Sequence, residues 1–339
     1  MKAFFLSALT GAALLTASSA AAQTLEWTFN NNYAATRVES ALIRDFAADV
    51  GARSGGKFTI RVLEGGAMNL RDADALRWMQ QGKPEIGFIW SPFLGRDAPD
   101  LASLYVYGSV ANAEEHMKAL PALKEILTDG MKRWQIEPVG FMGLSLLEAS
   151  LFCRQPVRSL DELKKVKLRV GTREQVDTFK ALGVAAQIVP QNELYAAIQT
   201  GVIDCALYPA RIAHTVSLQE VAKHATPTGF PFPPTPYVIM ANKGAYAALS
   251  AENKKVLADA AASLEANSFD FSKDAQEESA ARERLKGQGV TMYEPLSKAD
   301  QEALRGAALK TWDTIMKEAG ATGTEYRGKV LQALGRAGN

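Results

Sequence analysis

Three histidines, two cysteines and a few carboxylates are the residues of this chain that could hold a metal or drive a nucleophilic reaction. His116, His214 and His224 lie far apart, in no HExxH-like ligand spacing, so no metal site is expected. No GxSxG elbow, GxxxxGK[ST] phosphate loop or GxGxxG turn occurs, and no cofactor is implied. Ser54-Gly-Gly-Lys57 matches SxxK, yet it lies in a Gly-rich turn before a strand, where four residues match by chance. Asp72 and Asp74 open a helix, where the positive end of the helix dipole accounts for acidic residues. Cys153 and Cys205 fall in short strand-like segments without CxxC spacing; a disulfide and two buried small residues both fit that placement.

The elements that position these residues alternate. Strand-like runs at Leu25 to Phe29, Phe58 to Val62, Glu85 to Trp90, Glu137 to Met142 and Lys167 to Val170 are interleaved with helical ones. One helix carries Val38, Leu42, Phe46 and Val50 at four-residue spacing and another runs from Ala75 to Met79. That order predicts an α/β protein with mainly parallel sheets covered by helices on both faces. Ser250 to Lys286 holds neither Pro nor Gly and carries no heptad, which predicts one long helix acting as a strut between two lobes. The Pro-rich stretch Thr226 to Pro236 reads as a rigid crossover between lobes rather than sheet interior.

Composition narrows the function classes. With 339 residues, 38 basic against 37 acidic side chains and 47 % hydrophobic residues, the chain reads as globular and of two domains. A balance this close to neutral argues against nucleic acid as a partner. The first 22 residues, Lys2, then an apolar stretch from Ala3 to Leu15, then Ala20-Ala21-Ala22, read as a cleaved signal peptide. No later apolar run reaches the roughly 18 residues that span a bilayer, and no Cys near the cleavage site could carry a lipid. The mature chain is therefore expected to work outside the cytoplasm, in the periplasm.

Lys167-Leu-Arg-Val170, Phe179-Lys-Ala-Leu-Gly183, Pro190, Glu193-Leu-Tyr195, Ala197-Ile-Gln-Thr-Gly201, Asp204 and Pro209 resemble the central signature of DctP-type solute-binding proteins of TRAP transporters. Ser54 to Lys57 with Gly65-Gly66, and Thr228-Gly229 followed by a strand from Pro236 to Asn242 and the long helix, follow in family order. The resemblance covers about Leu25 to Glu318. It implies a two-lobed periplasmic solute-binding fold with mixed sheets flanked by helices, the lobes joined by crossing strands and a long helix. The expected division is residues 23–146 plus 234–273 for lobe I and 147–233 plus 274–339 for lobe II, the helix 250–286 spanning both. It further implies a monomer without enzymatic activity, whose closed form is recognised by the small and large TRAP membrane subunits.

In the family, the Arg of this K-[LI]-R-V strand, here Arg169, forms a salt bridge with the solute carboxylate. A guanidinium is a planar fork that matches a carboxylate bidentately and keeps its charge. Strand ends at a crevice supply further candidates: Asn30 and Asn31 after the first strand, Asn69 after the second, Trp90 and Phe93 at the third. Turn chemistry is the alternative for the asparagines, and core packing for Trp90. Tyr208 stands where the family usually has Asn and Cys205 where it usually has Gly, so stacking becomes possible where a hydrogen bond is put in doubt. Phe230 and Phe232 bracket the Pro-rich crossover. Sialic-acid-binding relatives carry charged groups in the third-strand segment, which here reads Ile-Trp-Ser-Pro-Phe. Glu148 and Ala149 occupy the segment where some relatives supply a second Arg, leaving one basic group to suffice. These departures favour a small monocarboxylate with an apolar or aromatic body. Two rivals remain: a periplasmic enzyme acting on an organic acid, with Glu148, Tyr208 and Cys205 as its nearest candidate groups, and a binding protein of an ABC-type importer.

Overall fold

The computed structural model describes residues 24–336; the signal peptide expected over residues 1–22 lies outside them. Two sheets organise the chain. The first contains β1 (Leu25–Asn30), β2 (Phe58–Leu63), β3 (Ile86–Trp90), β4 (Ile136–Met142) and β10 (Tyr237–Asn242), in the order β2-β1-β3-β10-β4. The second contains β5 (Glu148–Cys153), β6 (Lys167–Val170), β7 (Ala185–Ile188), β8 (Cys205–Pro209), β9 (His224–Pro231) and β11 (Thr291–Met292), in the order β11-β9-β5-β8-β6-β7. Every strand expected from the sequence is present, but the sheets are mixed rather than mainly parallel. β10 runs antiparallel to β3 and β4, and β5 antiparallel to β8 and β9. The reason is the chain's return: a strand that crosses from one sheet into the other enters it against the direction of the βαβ units already there.

Each sheet buries side chains of both its faces. The helix Val38–Arg53 lays Ile43, Phe46 and Val50 on Trp27, Phe29 and Phe58 of the first sheet, where Trp27 meets Phe58 edge to face at 5.1 Å. The helix Lys298–Glu318 places Leu304, Ala308, Trp312 and Met316 in a core shared with Leu168, Val170 and Leu207 of the second sheet and Leu101, Leu104 and Tyr105 that follow the first. Trp312 Nε1 donates to Ser103 O at 2.6 Å. This helix therefore belongs to both halves of the molecule.

The expected single helix over 250–286 is two: Ala251–Ser268 and Asp274–Gly287. No Pro or Gly forces the break; packing does. Phe269 and Phe271 both lie against the His116 ring, at 6.4 and 5.7 Å between centroids. In a continuous helix residues two apart point about 200° away from each other, so both cannot reach one ring. Asp270 fixes the turn by accepting from Ser272 N at 3.0 Å, and Ser268 Oγ accepts from Gly143 N at 2.8 Å.

The Pro-rich stretch also departs from its reading. Its first part is strand β9, inside the second sheet between β11 and β5, and only Phe232 to Pro236 crosses to β10. Pro227 is tolerated because its carbonyl accepts from Leu296 N at 2.9 Å. Its ring nitrogen therefore faces the same edge, beyond the point where the two-residue β11 has ended. Cys153 and Cys205 face each other across β5 and β8 and form a disulfide, with 4.1 Å between Cα atoms. Both side chains lie on the face of the sheet that enters the shared core.

Candidate functional site

Strand register decides which side chains of the second sheet share a face. Arg169 pairs with Ala206, and Tyr208, two residues on, pairs with Ser150. Successive side chains alternate across a strand, so Arg169, Tyr208 and Ser150 lie on one face while Leu168, Leu207, Cys205 and Cys153 lie on the other. The Arg169 guanidinium carbon is 5.9 Å from the Tyr208 ring centroid.

Arg169 is only 6 % exposed. Its Nε donates to Val189 O at 2.8 Å, and no carboxylate lies within ion-pair distance among the described residues. Burial draws its pKa down to about 10, with the neighbouring Tyr208 and Tyr107 hydroxyls acting the other way. It stays charged at neutral pH. A cation held out of water without a counter-ion costs several kcal/mol, and a ligand carboxylate is a group that would offset that cost.

Close enough to act on its charge are the hydroxyls of Tyr208 and Tyr107, both buried and without a hydrogen-bond partner among the described residues. Ser150 Oγ on the same face of the sheet is likewise buried and unpartnered, as are Asn30 Oδ1, Ser91 Oγ and Thr235 Oγ1 of the first sheet and its connections. Most buried polar groups in folded proteins are paired, so unpartnered hydroxyls beside an uncompensated guanidinium are groups that a bound solute would satisfy. The apolar walls come from the same elements. Tyr107 packs on Phe232 at 5.7 Å and Trp90 edge to face on Phe93 at 5.2 Å. Phe93 and Phe232 each touch the cores of both halves.

The sequence candidates separate in the structure. Arg169 and Tyr208 share a face of the second sheet, Phe232 packs on Tyr107, Asn30 ends β1, Phe93 packs on Trp90 after β3, and Phe230, half-buried on β9, lies two residues before Phe232. Trp90 Nε1 is spent on Thr235 O at 3.0 Å, leaving its ring as wall. Asn31 is occupied by the turn after β1: its Nδ2 donates to Ser40 Oγ at 2.9 Å and its Oδ1 accepts from Tyr33 N at 2.9 Å. Asn69 is exposed in a turn with φ +53°, a conformation asparagine tolerates. Glu148 is held by Arg282 of the helix Asp274–Gly287, so its carboxylate is engaged away from Arg169. Ser54 of the SxxK match closes its own turn, donating to Phe58 O at 2.8 Å. Among the described residues no group of three His, Cys, Asp or Glu is arranged to hold a metal ion.

Two residues escaped sequence reasoning. Tyr107 sits in an irregular apolar run, Leu104 to Tyr107, with no periodicity to aim it. Arg37 stands immediately before the helix Val38–Arg53, and its position at a helix start was the available signal. Its guanidinium is buried and doubly bonded to Glu39, with Nε to Oε2 at 2.9 Å, and it lies 4.1 Å over the Tyr33 ring. Tyr237 OH donates to Glu39 Oε1 at 3.2 Å. Burial pushes the Glu39 carboxyl up, but Arg37 outweighs it and holds the group below the usual carboxylate range. The pair brings no net charge, and Arg169 remains uncompensated among the described residues.

This fold has known counterparts. The family model for bacterial extracellular solute-binding proteins, family 7 (DctP), matches residues 29–319. The chain belongs to this family, the DctP-type solute-binding proteins of TRAP transporters. A solute-binding protein of Albidiferax ferrireducens is 26 % identical over 291 residues, 80 % of each chain, and the ectoine/5-hydroxyectoine-binding periplasmic protein UehA of Ruegeria pomeroyi 26 % over 265 residues, 76 % of each. Among solved structures, the Bordetella pertussis extracytoplasmic solute receptor DctP7, binding pyroglutamic acid, gives a TM-score of 0.82 at 22 % identity, covering 92 % of this chain and 99 % of that one. The periplasmic ectoine-binding protein of Halomonas elongata gives 0.81 at 19 %, covering 91 % and 99 %. At these identities the structural likeness carries the fold.

Proposed function

We propose that the mature chain is a monomeric periplasmic receptor that captures a small organic carboxylate between its two lobes through Arg169 and delivers it to the small and large TRAP membrane subunits. The observation that carries this reading is a buried guanidinium without a counter-ion, flanked by unpartnered hydroxyls. A carboxylate can accept from both Nη atoms in one plane, each charge-assisted bond contributing about 1.5 to 3 kcal/mol. Closure around the solute then shifts an open-closed equilibrium by the solute's differential affinity for the closed form. Removal of a signal peptide ending near residue 22 would release the chain without a lipid anchor.

One net positive charge among aromatic walls favours a monocarboxylate with an apolar body. Pyroglutamate, bound by the Bordetella receptor, is a small monocarboxylate. An enzyme finds less support: of its candidate groups, Cys205 is in a disulfide on the opposite face of the sheet from Arg169, and Glu148 is in an ion pair with Arg282. Titration calorimetry with pyroglutamate, ectoine, succinate and glucuronate tests the class. Pyroglutamate or ectoine binding at least tenfold tighter than succinate and glucuronate supports the proposal; tighter binding of succinate overturns the monocarboxylate assignment, and tighter binding of glucuronate overturns the apolar body.

A further inference from the structure

The segment that follows β7 does two things at once. Val189 O accepts from Arg169 Nε at 2.8 Å, and two residues later Gln191 Oε1 accepts from Arg37 Nη1 at 3.0 Å. Arg37 starts the helix that packs on the first sheet, while Gln191 belongs to the second sheet's connections. The second bond therefore crosses between the two halves of the molecule. Since a guanidinium only donates, it fixes which end of the Gln191 amide faces it.

The start of a helix is a poor place for a cation, because the helix dipole is positive there. Arg37 gives no capping hydrogen bond. Its position is explained by what it reaches. Glu39, itself held by the Tyr237 hydroxyl, and the Tyr33 ring fix the guanidinium from behind, so it presents Nη1 to Gln191 from a fixed seat, not from a mobile surface chain. Gln191 is half-buried on a short 3₁₀ turn with no other side-chain hydrogen bond among the described residues.

We propose that Arg37 and Gln191 form a clasp that closes the lobes, and that the turn 189–191 links this clasp to the anchor Arg169, so that solute release requires the Arg37–Gln191 bond to open. The clasp sets residence time without touching the solute. It rests on the carboxylate reading only where the solute is used as a probe.

The test has one arm with solute and one without. Spin labels at Arg61→Cys and Val202→Cys, both exposed and on opposite halves, report the interlobe distance of the ligand-free protein by pulsed dipolar spectroscopy. Gln191→Ala is expected to move the distribution to longer distances, and Gln191→Glu, which keeps an acceptor oxygen, to hold it near the wild type. With pyroglutamate as probe, Gln191→Ala is expected to raise the dissociation rate about tenfold, as for loss of one charge-assisted hydrogen bond, and to leave the association rate within about twofold. An unchanged distance distribution in Gln191→Ala overturns the clasp, whether or not pyroglutamate binds. Failure of pyroglutamate to bind the wild type counts against the solute reading alone, and the distance arm still decides the clasp.

Discussion

Arg169 and Tyr208 stand on the same face of neighbouring strands, 5.9 Å from guanidinium carbon to ring centroid, and the tyrosine hydroxyl has no partner among the described residues. The strands that carry them are held from the opposite face by the Cys153–Cys205 disulfide and the shared core. A rigid apolar backing thus presents an unsatisfied polar front, and the stability of the empty protein should reflect that conflict.

Replacing Arg169 with Met should therefore stabilise the ligand-free protein. Met approximates the volume and removes the uncompensated charge, a change worth about 1 to 4 kcal/mol in favour of folding where buried ions have been replaced. The lost bond to Val189 O subtracts roughly 1 kcal/mol. Urea unfolding of the two proteins checks this; a variant several kcal/mol less stable would show that Arg169 is a structural residue.

The disulfide closes a loop of 52 residues, and chain-entropy arguments give about 4 kcal/mol for such a loop. The double variant Cys153→Ser, Cys205→Ser is expected to unfold at markedly lower denaturant, and the reducing agent that lowers the wild-type midpoint should leave the variant unmoved. A reductant-insensitive wild type would contradict this.

Glu174, on the helix Arg173–Ala181, is 7 % exposed, and its Oε1 accepts from Thr178 Oγ1 at 2.9 Å. Burial pushes its carboxyl up to about 7 from an ordinary value of 4.5. Between these pH values the folded protein binds a proton that the unfolded chain has released, so stability falls as pH rises through the window and levels off above about 7. Glu174→Gln should remove this component and, relative to wild type, gain about 3 kcal/mol between pH 4.5 and pH 7. Parallel denaturation curves at the two pH values check it, and an equal difference at both would contradict it.

Much of this was legible in the sequence because it depends on local pattern. The strand Lys167–Val170 announces itself by alternation, and Arg169 by the motif around it. What was not legible depends on partners distant in the chain. The break after Ser268 is dictated by His116, more than 150 residues earlier. Pro227 enters a strand because β11 stops short beside it. Pairing of Cys153 with Cys205 needs the register of β5 on β8, which two short strand-like segments cannot supply. Tyr107 is aimed by Phe232 from the crossover, and the helix start at Arg37 acquires meaning only when Gln191 is seen to face it.

The central claim is that Arg169 anchors a carboxylate. Its most direct test is thermal unfolding of the mature protein across a panel of aliphatic, hydroxy-, keto-, sugar and aromatic carboxylates, with Arg169→Ala in parallel. A ligand at 100 times its dissociation constant adds about 2.7 kcal/mol to folding stability, a readily measured rise in Tm. One class of acid, a monocarboxylate with an apolar body, should raise the Tm of the wild type and leave the variant unmoved. A panel in which no acid shifts the wild type, or in which the variant responds equally, would contradict the claim.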